Sequence, residues 1–308
     1  MTSSTVGSDR VLFEVDRGTR IATITLNNPQ RRNSYDAAMR DDLARCLDVV
    51  ADDDDVTVAL LRGAEGVFST GADMNNAYGW YGEEKGDANR GEGSDAAAAK
   101  SRRPSQRRRL NVDRKSFGFY HEFLGFPKVT VGEIGGYALG GGFEMALMCD
   151  ISVIARDTRI GMPATRFLGP ALGSLHMFFH RLGPVLARRM LLTGDIITAG
   201  EVEHLGVFTE TCDPQSLPAS ARYWARKAAK MPADGVVIAK EAFRMVEQNQ
   251  AYQGEEVASY LFHAFGTNLQ FAPGEFNFVK TRAEHGTREA FRLRDEHFHV
   301  EREDIKNL

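Results

Sequence analysis

The chain has 308 residues, a formal net charge of −4, 43% hydrophobic residues and 26% charged residues. This size and composition are those of a globular protein with a large core, and the charge provides no general argument for binding nucleic acid. The first ten residues are polar and no apolar run approaches the roughly 20 residues of a membrane span, so we expect a cytoplasmic protein without membrane contacts.

Strand patterns and helix patterns alternate from residue 11 onward. Two strands at residues 11–16 and 20–26 precede a helix that Ser34 can cap and that continues to about Val50. Further apolar and β-branched runs predict buried strands, which lie at 56–62, 129–134, 151–155 and 207–209. This alternation is typical of an α/β core, which we assign to residues 11–215 after a flexible N-terminus at residues 1–10.

The chain becomes helical beyond this core. Helical segments are predicted near residues 221–230, 235–248, 255–269 and 288–296. We therefore assign residues 216–308 to a C-terminal helical region.

Residues 79–109 interrupt the alternation. They are first acidic and rich in glycine, and they then contain six basic residues between Lys100 and Arg109. Their apolar content is too low for a core element, so we expect an inserted mobile loop. The basic run is either a solvated mixture of charges or a set of arginines that contact phosphates or a substrate carboxylate. RNA binding is a third possibility, but the run has no aromatic residues for base stacking.

Two turns between a strand and a helix are built from small residues. Residues 135–144, with the sequence GGYALGGGFE, separate the strand at 129–134 from a helix that ends near Cys149. Residues 68–74, with the sequence FSTGADM, follow the strand at 56–62. Small residues at a helix start leave backbone N–H groups accessible where the helix dipole is positive, so two such turns suit a two-donor oxyanion hole. A glycine run can also serve tight packing or a plain turn.

The sequence resembles the crotonase family, also called the enoyl-CoA hydratase/isomerase family. Its family motifs occur in family order at residues 27–33, 71–73, 140–144 and 192–195. The resemblance implies an α/β fold with a crotonase-like ββα spiral core, and a C-terminal helical region that serves as lid and oligomer contact. It also implies an acyl-CoA thioester substrate that carries its own coenzyme A, no separate cofactor, and a homotrimer or hexamer.

The resemblance also assigns roles to individual residues. Ala72 and Gly141 would donate the two backbone N–H groups of the oxyanion hole, and Glu144 would be the general base. The alternative for Glu144 is an acidic residue that only complements the helix dipole. The residues that would contact coenzyme A are Gln30, Arg31, Arg32, Ala72, Asp73, Met74 and Gly140. For the two arginines, a solvated loop charge is an equal alternative.

One position departs from the hydratase pattern. Hydratases carry a second glutamate that exchanges a proton with the α-carbon, and the corresponding residue here is Ala164. A methyl group cannot carry a proton, so hydration with two carboxylates is in doubt. His176 is a candidate to replace the missing group, although ordinary helix histidines at positions 176 and 180 are the alternative. This histidine pair has no third ligand, so no metal site is predicted.

The resulting hypothesis is that the chain is an acyl-CoA enzyme of the hydratase/isomerase family. Such an enzyme would act in pathways such as fatty acid metabolism. The alternatives are thioester hydrolysis, decarboxylation or C–C bond cleavage of a bulky acyl-CoA, because these need an enolate without the missing acid. A non-catalytic acyl-CoA binder is a further alternative.

Overall fold

The computed structural model describes most of the chain, namely residues 6–74, 105–168, 175–249, 254, 258, 261, 263 and 271–300. The sequence predictions for residues 1–5 and 79–104, and most of the helix expected at 255–269, lie outside these residues.

The described strands form two sheets. In chain order they are β1 (Val11–Asp16), β2 (Ile21–Leu26), β3 (Val58–Gly63), β4 (Val129–Ile134), β5 (Tyr137–Leu139), β6 (Ile151–Ala155), β7 (Arg159–Gly161), β8 (Ile196–Thr198) and β9 (Glu210–Cys212). The larger sheet has the order β1-β2-β3-β4-β6-β9, and the smaller one has the order β5-β7-β8. In the larger sheet only β1 is antiparallel to its neighbour, and the other strands are parallel.

The described helices surround the sheets. They are α1 (Ala37–Asp52), α2 (Gln106–Leu124), α3 (Gly141–Met148), α4 (Thr165–Leu168), α5 (Leu175–Thr193), α6 (Leu217–Ala229), α7 (Ala233–Asn249), α8 (Phe278–His285) and α9 (Thr287–His297). The repeating unit is a strand of the large sheet, a short strand of the small sheet and a helix, as in β4, β5 and α3. No helix in the described ranges is long and apolar enough to cross a membrane.

Both faces of the large sheet are covered by helices. In β3, Ala59 and Leu61 face the main core beneath α1, whereas Val58 and Leu60 face α6. This alternation follows from the two-residue period of a strand. Three buried alanines of α6, at positions 221, 225 and 228, pack on the second face. Because their side chains are small, α6 lies close to the strands and holds the sheet between two helical layers.

Several element boundaries differ from the sequence predictions. Helix α1 is capped by Asp36, whose side chain accepts a hydrogen bond from the Met39 amide at 3.0 Å, and not by Ser34. The last strand of the large sheet begins at Glu210, and not at Val207, because Val207 is buried as a loop residue before strand pairing starts. An apolar run reports burial, and burial does not require strand pairing.

The predicted loop at 79–109 is wrong at its end. Residues 106–109 form the first turn of α2, and the side chain of Ser105 caps this helix by accepting from the Arg108 amide. The basic residues concealed the helix, because apart from Arg109 the buried residues of its inner face, such as Asp113 and Phe117, come later in the chain.

The expected flexible N-terminus is also more ordered than predicted in its described part. Ser8 forms a β-bridge with Val11, and the Arg10 carbonyl accepts a hydrogen bond from the Asn27 amide at 2.8 Å. The Arg10 side chain pairs with Asp36 at 2.7 Å. Residues 8–10 are therefore attached to the core.

Candidate active site

The small-residue turn after β3 pairs with β5 at its start and with Tyr35 farther along. Ser69 bridges to Ala138 of β5, and Ala72 bridges to Tyr35. The Gly71 carbonyl accepts from the Tyr35 amide and the Asp73 amide donates to the Tyr35 carbonyl, both at 2.9 Å. Since the flanking residues make these bonds, the N–H of Ala72 is not used in the pairing with Tyr35. Ala72 is exposed.

The two small-residue turns touch each other at Gly71 and Gly141. Gly71 has a φ of +82°, which favours glycine, and a Cβ built on it would lie only 2.8 Å from the Gly141 amide nitrogen. The same Cβ would lie 2.8 Å from the Leu139 carbonyl oxygen. This close approach brings the Ala72 turn next to the first amide of α3.

At the start of α3, the amides of Gly140 and Gly141 differ in availability. The Gly140 N–H donates to the Gly161 carbonyl at 3.0 Å. Gly141 is the first residue of the helix, so its N–H has no partner within the helix. Among the described hydrogen bonds, neither Ala72 nor Gly141 uses its N–H. Within the described residues, these two amides, one at each turn, therefore have no acceptor.

Glu144 lies in the first turn of α3 with only 5% of its surface exposed. A carboxylate at this end of a helix is favoured by the helix dipole. Its charge is close enough to raise the pKa of both Tyr35 and Tyr120, although burial is the larger cause for each. Glu144 therefore shares its surroundings with these two hydroxyl groups.

The pair of Tyr35 and Tyr120 is a feature that sequence reasoning missed. Both side chains are buried, and their hydroxyl groups form a hydrogen bond with each other. A Cβ built on Gly141 would overlap both hydroxyl oxygens, so the pair lies directly beside the Gly141 backbone. Tyr35 comes two residues after Asn33, the end of the first family motif, and this position was the only signal available in the sequence.

Most residues predicted to contact coenzyme A lie around the Ala72 turn. Arg31 forms an ion pair with Asp73, and the guanidinium of Arg32 lies 4.6 Å from the ring centre of Tyr137. Gln30 is exposed beside them. The carbonyl of Met74 accepts a hydrogen bond of 2.6 Å from Arg282 of α8. The C-terminal helices thus contact the turn that carries Ala72.

Ala164 lies on the same side of the molecule. It is half-buried and packs on the main core and on a small cluster formed by Phe278 and Ala290, which Met74 also contacts. The neighbouring Arg166 is directed elsewhere, because its Nε donates to the Thr193 carbonyl at 2.9 Å. Arg166 therefore does not fill the role of the missing carboxyl group.

The structure gives His176 a partner on another helix. Its Nε2 lies 3.5 Å from Oε2 of Glu247 on α7. The contact with His176 is the main cause that lowers the pKa of Glu247, and the charge of His180 adds to it. His176 therefore faces α7, whereas His180 is exposed. Within the described ranges, no group of three or more His, Cys, Asp or Glu side chains could hold a metal ion.

Comparison with known proteins finds relatives of this chain. The model of the enoyl-CoA hydratase/isomerase family matches residues 16–98 and 91–287. A probable enoyl-CoA hydratase of Mycobacterium bovis is 27% identical over 87% of this chain and 95% of its own length. The 1,2-epoxyphenylacetyl-CoA isomerase of Escherichia coli is 28% identical over 78% of this chain and 83% of its own length.

Solved structures share the fold over almost the whole chain. The crystal structure of an enoyl-CoA hydratase/isomerase from Xanthobacter autotrophicus Py2 superimposes with a TM-score of 0.79 at 25% identity, covering 96% of this chain and 100% of the other. The ββα units seen here are thus those of the crotonase fold. The chain belongs to the enoyl-CoA hydratase/isomerase family.

Proposed function

We propose that the chain is an acyl-CoA-processing enzyme that stabilises a thioester enolate with the N–H groups of Ala72 and Gly141 and uses Glu144 as its general base. The observation that carries the proposal is the close approach of Gly71 to the Gly141 amide. It puts two small-residue turns side by side, each with an amide that no described group accepts from.

The energetics of the proposed reaction favour this use of the two amides. A thioester carbonyl gains negative charge on its oxygen when it becomes an enolate. Preorganised donors at such an oxygen are each worth about 2.7–4 kcal/mol of barrier reduction in comparable enzymes. Glu144 is buried in the first turn of the helix that begins with Gly141, so its carboxylate and the Gly141 amide belong to one element.

Coenzyme A would bind as part of the substrate along the Ala72 turn. The exposed guanidinium groups of Arg31 and Arg32 supply positive charge there, and backbone groups of residues 72–74 supply hydrogen bonds. Arg31 already pairs with Asp73, so a phosphate would compete for or share this cation. Gly140 would contribute through its carbonyl or its Cα, since its N–H is engaged. No separate cofactor is proposed.

Turnover of crotonyl-CoA by the wild type and by Glu144→Gln tests the proposal. Loss of a general base costs about 100-fold or more in kcat, so we expect a decrease of this size, measured by the loss of enoyl-thioester absorbance. Glu241→Gln, at an exposed glutamate of α7, is the matched control and should leave kcat unchanged. Equal rates for wild type and Glu144→Gln would remove Glu144 from the chemistry.

A second candidate is another reaction of the same family, such as decarboxylation, thioester hydrolysis or C–C bond cleavage of a bulky acyl-CoA. The observation that favours it is the methyl group at Ala164, where hydratases carry an acid. 3-Oxoacyl-CoA and malonyl-type thioesters, assayed beside crotonyl-CoA, distinguish these reactions. Binding of all thioesters without turnover of any would instead favour a non-catalytic acyl-CoA binder.

We also propose that the chain assembles as a homotrimer or hexamer. Large apolar side chains on α7 support this proposal, because Ile238 and Met245 are 70% and 61% exposed in the single chain. They are seven residues apart and therefore lie on the same helix face. A cytoplasmic location stays a prediction from the sequence.

A further inference from the structure

The buried hydroxyl pair beside Gly141 has no role in the function proposed above. Tyr35 is tied to the Ala72 turn by its two backbone hydrogen bonds, and Tyr120 comes from α2. Both hydroxyl oxygens lie where a Cβ on Gly141 would be placed. The charge of Glu144 is close enough to raise the pKa of Tyr35. The two hydroxyl groups thus contact Gly141, one proposed oxyanion donor. The backbone of Tyr35 is bonded to the turn that carries Ala72, the other donor.

The two tyrosine hydroxyl groups together have one O–H that their mutual hydrogen bond does not use. Each tyrosine hydroxyl carries a single hydrogen, and the bond between Tyr35 and Tyr120 uses one of the two. Within the described residues, no acceptor is recorded for the second hydrogen. Either hydroxyl can be the donor within the pair. The Tyr35 hydroxyl lies nearer the Cβ position of Gly141, and the Tyr35 backbone is bonded to both neighbours of Ala72, so we assign the outward-donating O–H to Tyr35.

We propose that Tyr35 is a catalytic residue whose hydroxyl, positioned by Tyr120, donates a proton to the α-carbon of the enolate and replaces the carboxyl group that Ala164 lacks. This inference rests on the proposed function and adds a proton donor to it. Enolate protonation is common to hydration, decarboxylation and C–C cleavage, so the inference does not depend on which of them is the natural reaction.

In hydration the proton transfers balance as follows. Glu144 takes a proton from water as the water oxygen bonds to the β-carbon, and the electron pair of the C=C bond moves toward the thioester oxygen. The enolate then re-forms its carbonyl group as the α-carbon takes the proton of Tyr35. The proton held by Glu144 returns to the tyrosine pair, so both tyrosines are again neutral and Glu144 is again ionised.

The surroundings suit a neutral donor. Burial is the first cause that raises the pKa of Tyr35, and Glu144 raises it further, so the hydroxyl stays protonated near neutral pH. The buried guanidinium of Arg40 acts in the opposite direction and lowers the pKa of Tyr35. Its Nη1 donates a hydrogen bond to Oγ of Ser116 on α2 at 2.7 Å. An enolate carbon is a much stronger base than a phenolate, so the proton transfer to carbon remains downhill.

Single and double tyrosine variants test the inference with crotonyl-CoA and a 3-oxoacyl-CoA as substrates. Tyr35→Phe removes only the oxygen, so we expect kcat to fall about 100-fold with KM within about twofold of the wild type. Tyr120→Phe should lower kcat less, by about 10-fold, because it only positions Tyr35. Tyr223→Phe, at an exposed tyrosine of α6, is the matched control and should be unaffected.

The double variant Tyr35→Phe/Tyr120→Phe separates catalysis from folding. A purely structural pair would be harmed by each single change, because one hydroxyl is left buried without its partner, and would recover when both oxygens are removed. If the double variant regains wild-type kcat, or if Tyr35→Phe alone keeps it, the inference is overturned. If the double variant is as slow as Tyr35→Phe, the inference is supported.

Restoring a carboxyl group at position 164 tests the inference independently. In the Tyr35→Phe background, Ala164→Glu should raise kcat about 10-fold, because it restores a carboxyl group at the hydratase position. An equal effect of Ala164→Glu on wild type and on Tyr35→Phe would contradict the inference. Absence of turnover by the wild type with both thioesters would count against the proposed function itself, which distinguishes the two failures.

Discussion

Gly141 lacks a side chain for a reason that lies outside its own backbone. The space beside its Cα is occupied by the hydroxyl groups of Tyr35 and Tyr120, so any Cβ would displace them. Gly71 is constrained differently, because it combines a positive φ with a close approach to backbone atoms. Both positions therefore require glycine, Gly71 because of its backbone conformation and neighbouring backbone atoms, and Gly141 because two buried tyrosine hydroxyl groups occupy the Cβ position.

Substitution of Gly71 should therefore damage both stability and activity. Gly71→Ala forces a left-handed residue with a Cβ against the Gly141 amide, and we expect a loss of about 1–3 kcal/mol in the free energy of unfolding. Activity with the acyl-CoA substrate should fall as well, since the two proposed donor amides are pushed apart. Chemical denaturation and steady-state kinetics measure the two effects.

Gly118 provides the matched control for this prediction. It lies inside α2, and a Cβ built on it would meet no atom within 4 Å. Gly118→Ala should stabilise the protein by about 0.5–1 kcal/mol, because alanine loses less entropy than glycine when a helix forms. Equal unfolding free energies for the two alanine variants would show that the geometry at Gly71 carries no strain.

At the scale of elements, α5 and α7 are joined by the contact between His176 and Glu247. The structure thus supports the reading of His176 as a helix residue with a local partner. A direct catalytic role for His176 stays a prediction without a described contact to support it. The contact also makes a pH-dependent contribution to stability, because the pKa of Glu247 is lower in the folded chain than its ordinary value of 4.5.

The sign of this pH dependence follows from the lowered pKa. The contribution of Glu247 is full above about pH 4.5, where the unfolded chain also carries the charge, and it disappears as the pH falls through the lower folded value. We expect Glu247→Gln to cost about 1 kcal/mol of unfolding free energy at pH 7. The difference from wild type should shrink below pH 4.5, as measured by urea denaturation across pH.

Glu241 on the same helix separates this contact from a general effect of charge. It is exposed and pairs with Arg244 one turn away. Glu241→Gln should change the unfolding free energy little at any pH, because exposed ion pairs contribute weakly. A loss in Glu247→Gln that is the same at pH 7 and at pH 3.5 would contradict the assigned role of its carboxylate.

At the scale of the whole molecule, the candidate site is assembled from both parts of the chain. The core supplies the two small-residue turns, and the C-terminal helices α8 and α9 contact Met74 and the Ala164 turn through Phe278 and Ala290. Arg282 adds a hydrogen bond to the Met74 carbonyl. The C-terminal region therefore contacts the turn that carries Ala72, and the lid role that the family resemblance implies stays a prediction.

Assembly into an oligomer should be visible in solution. We expect light scattering coupled to gel filtration to give a mass of three or six chains. Ile238→Glu, which charges the exposed apolar face of α7, should lower that mass if this face lies between subunits. A monomer for the wild-type chain at all concentrations would contradict the proposed trimer or hexamer.

Local sequence determined a large part of this structure. The strands at 11–16, 129–134 and 151–155 were predicted at their observed bounds, because buried strands carry apolar and β-branched runs between turn residues. The two small-residue turns were also readable, since glycine and alanine at a strand-to-helix turn are properties of single positions. The assignment of Ala164 to the position of a missing acid stays a prediction from the sequence.

Only the tertiary structure decided which distant residues meet. Tyr35 and Tyr120 are 85 residues apart in the chain, and no local pattern links them. The contacts of Gly71 with Gly141 and of His176 with Glu247 also join residues that are far apart in the chain. Periodicity encodes which face of an element is buried, whereas the partner on that face depends on how all elements pack, and the proposed catalytic group at Tyr35 arises from this packing.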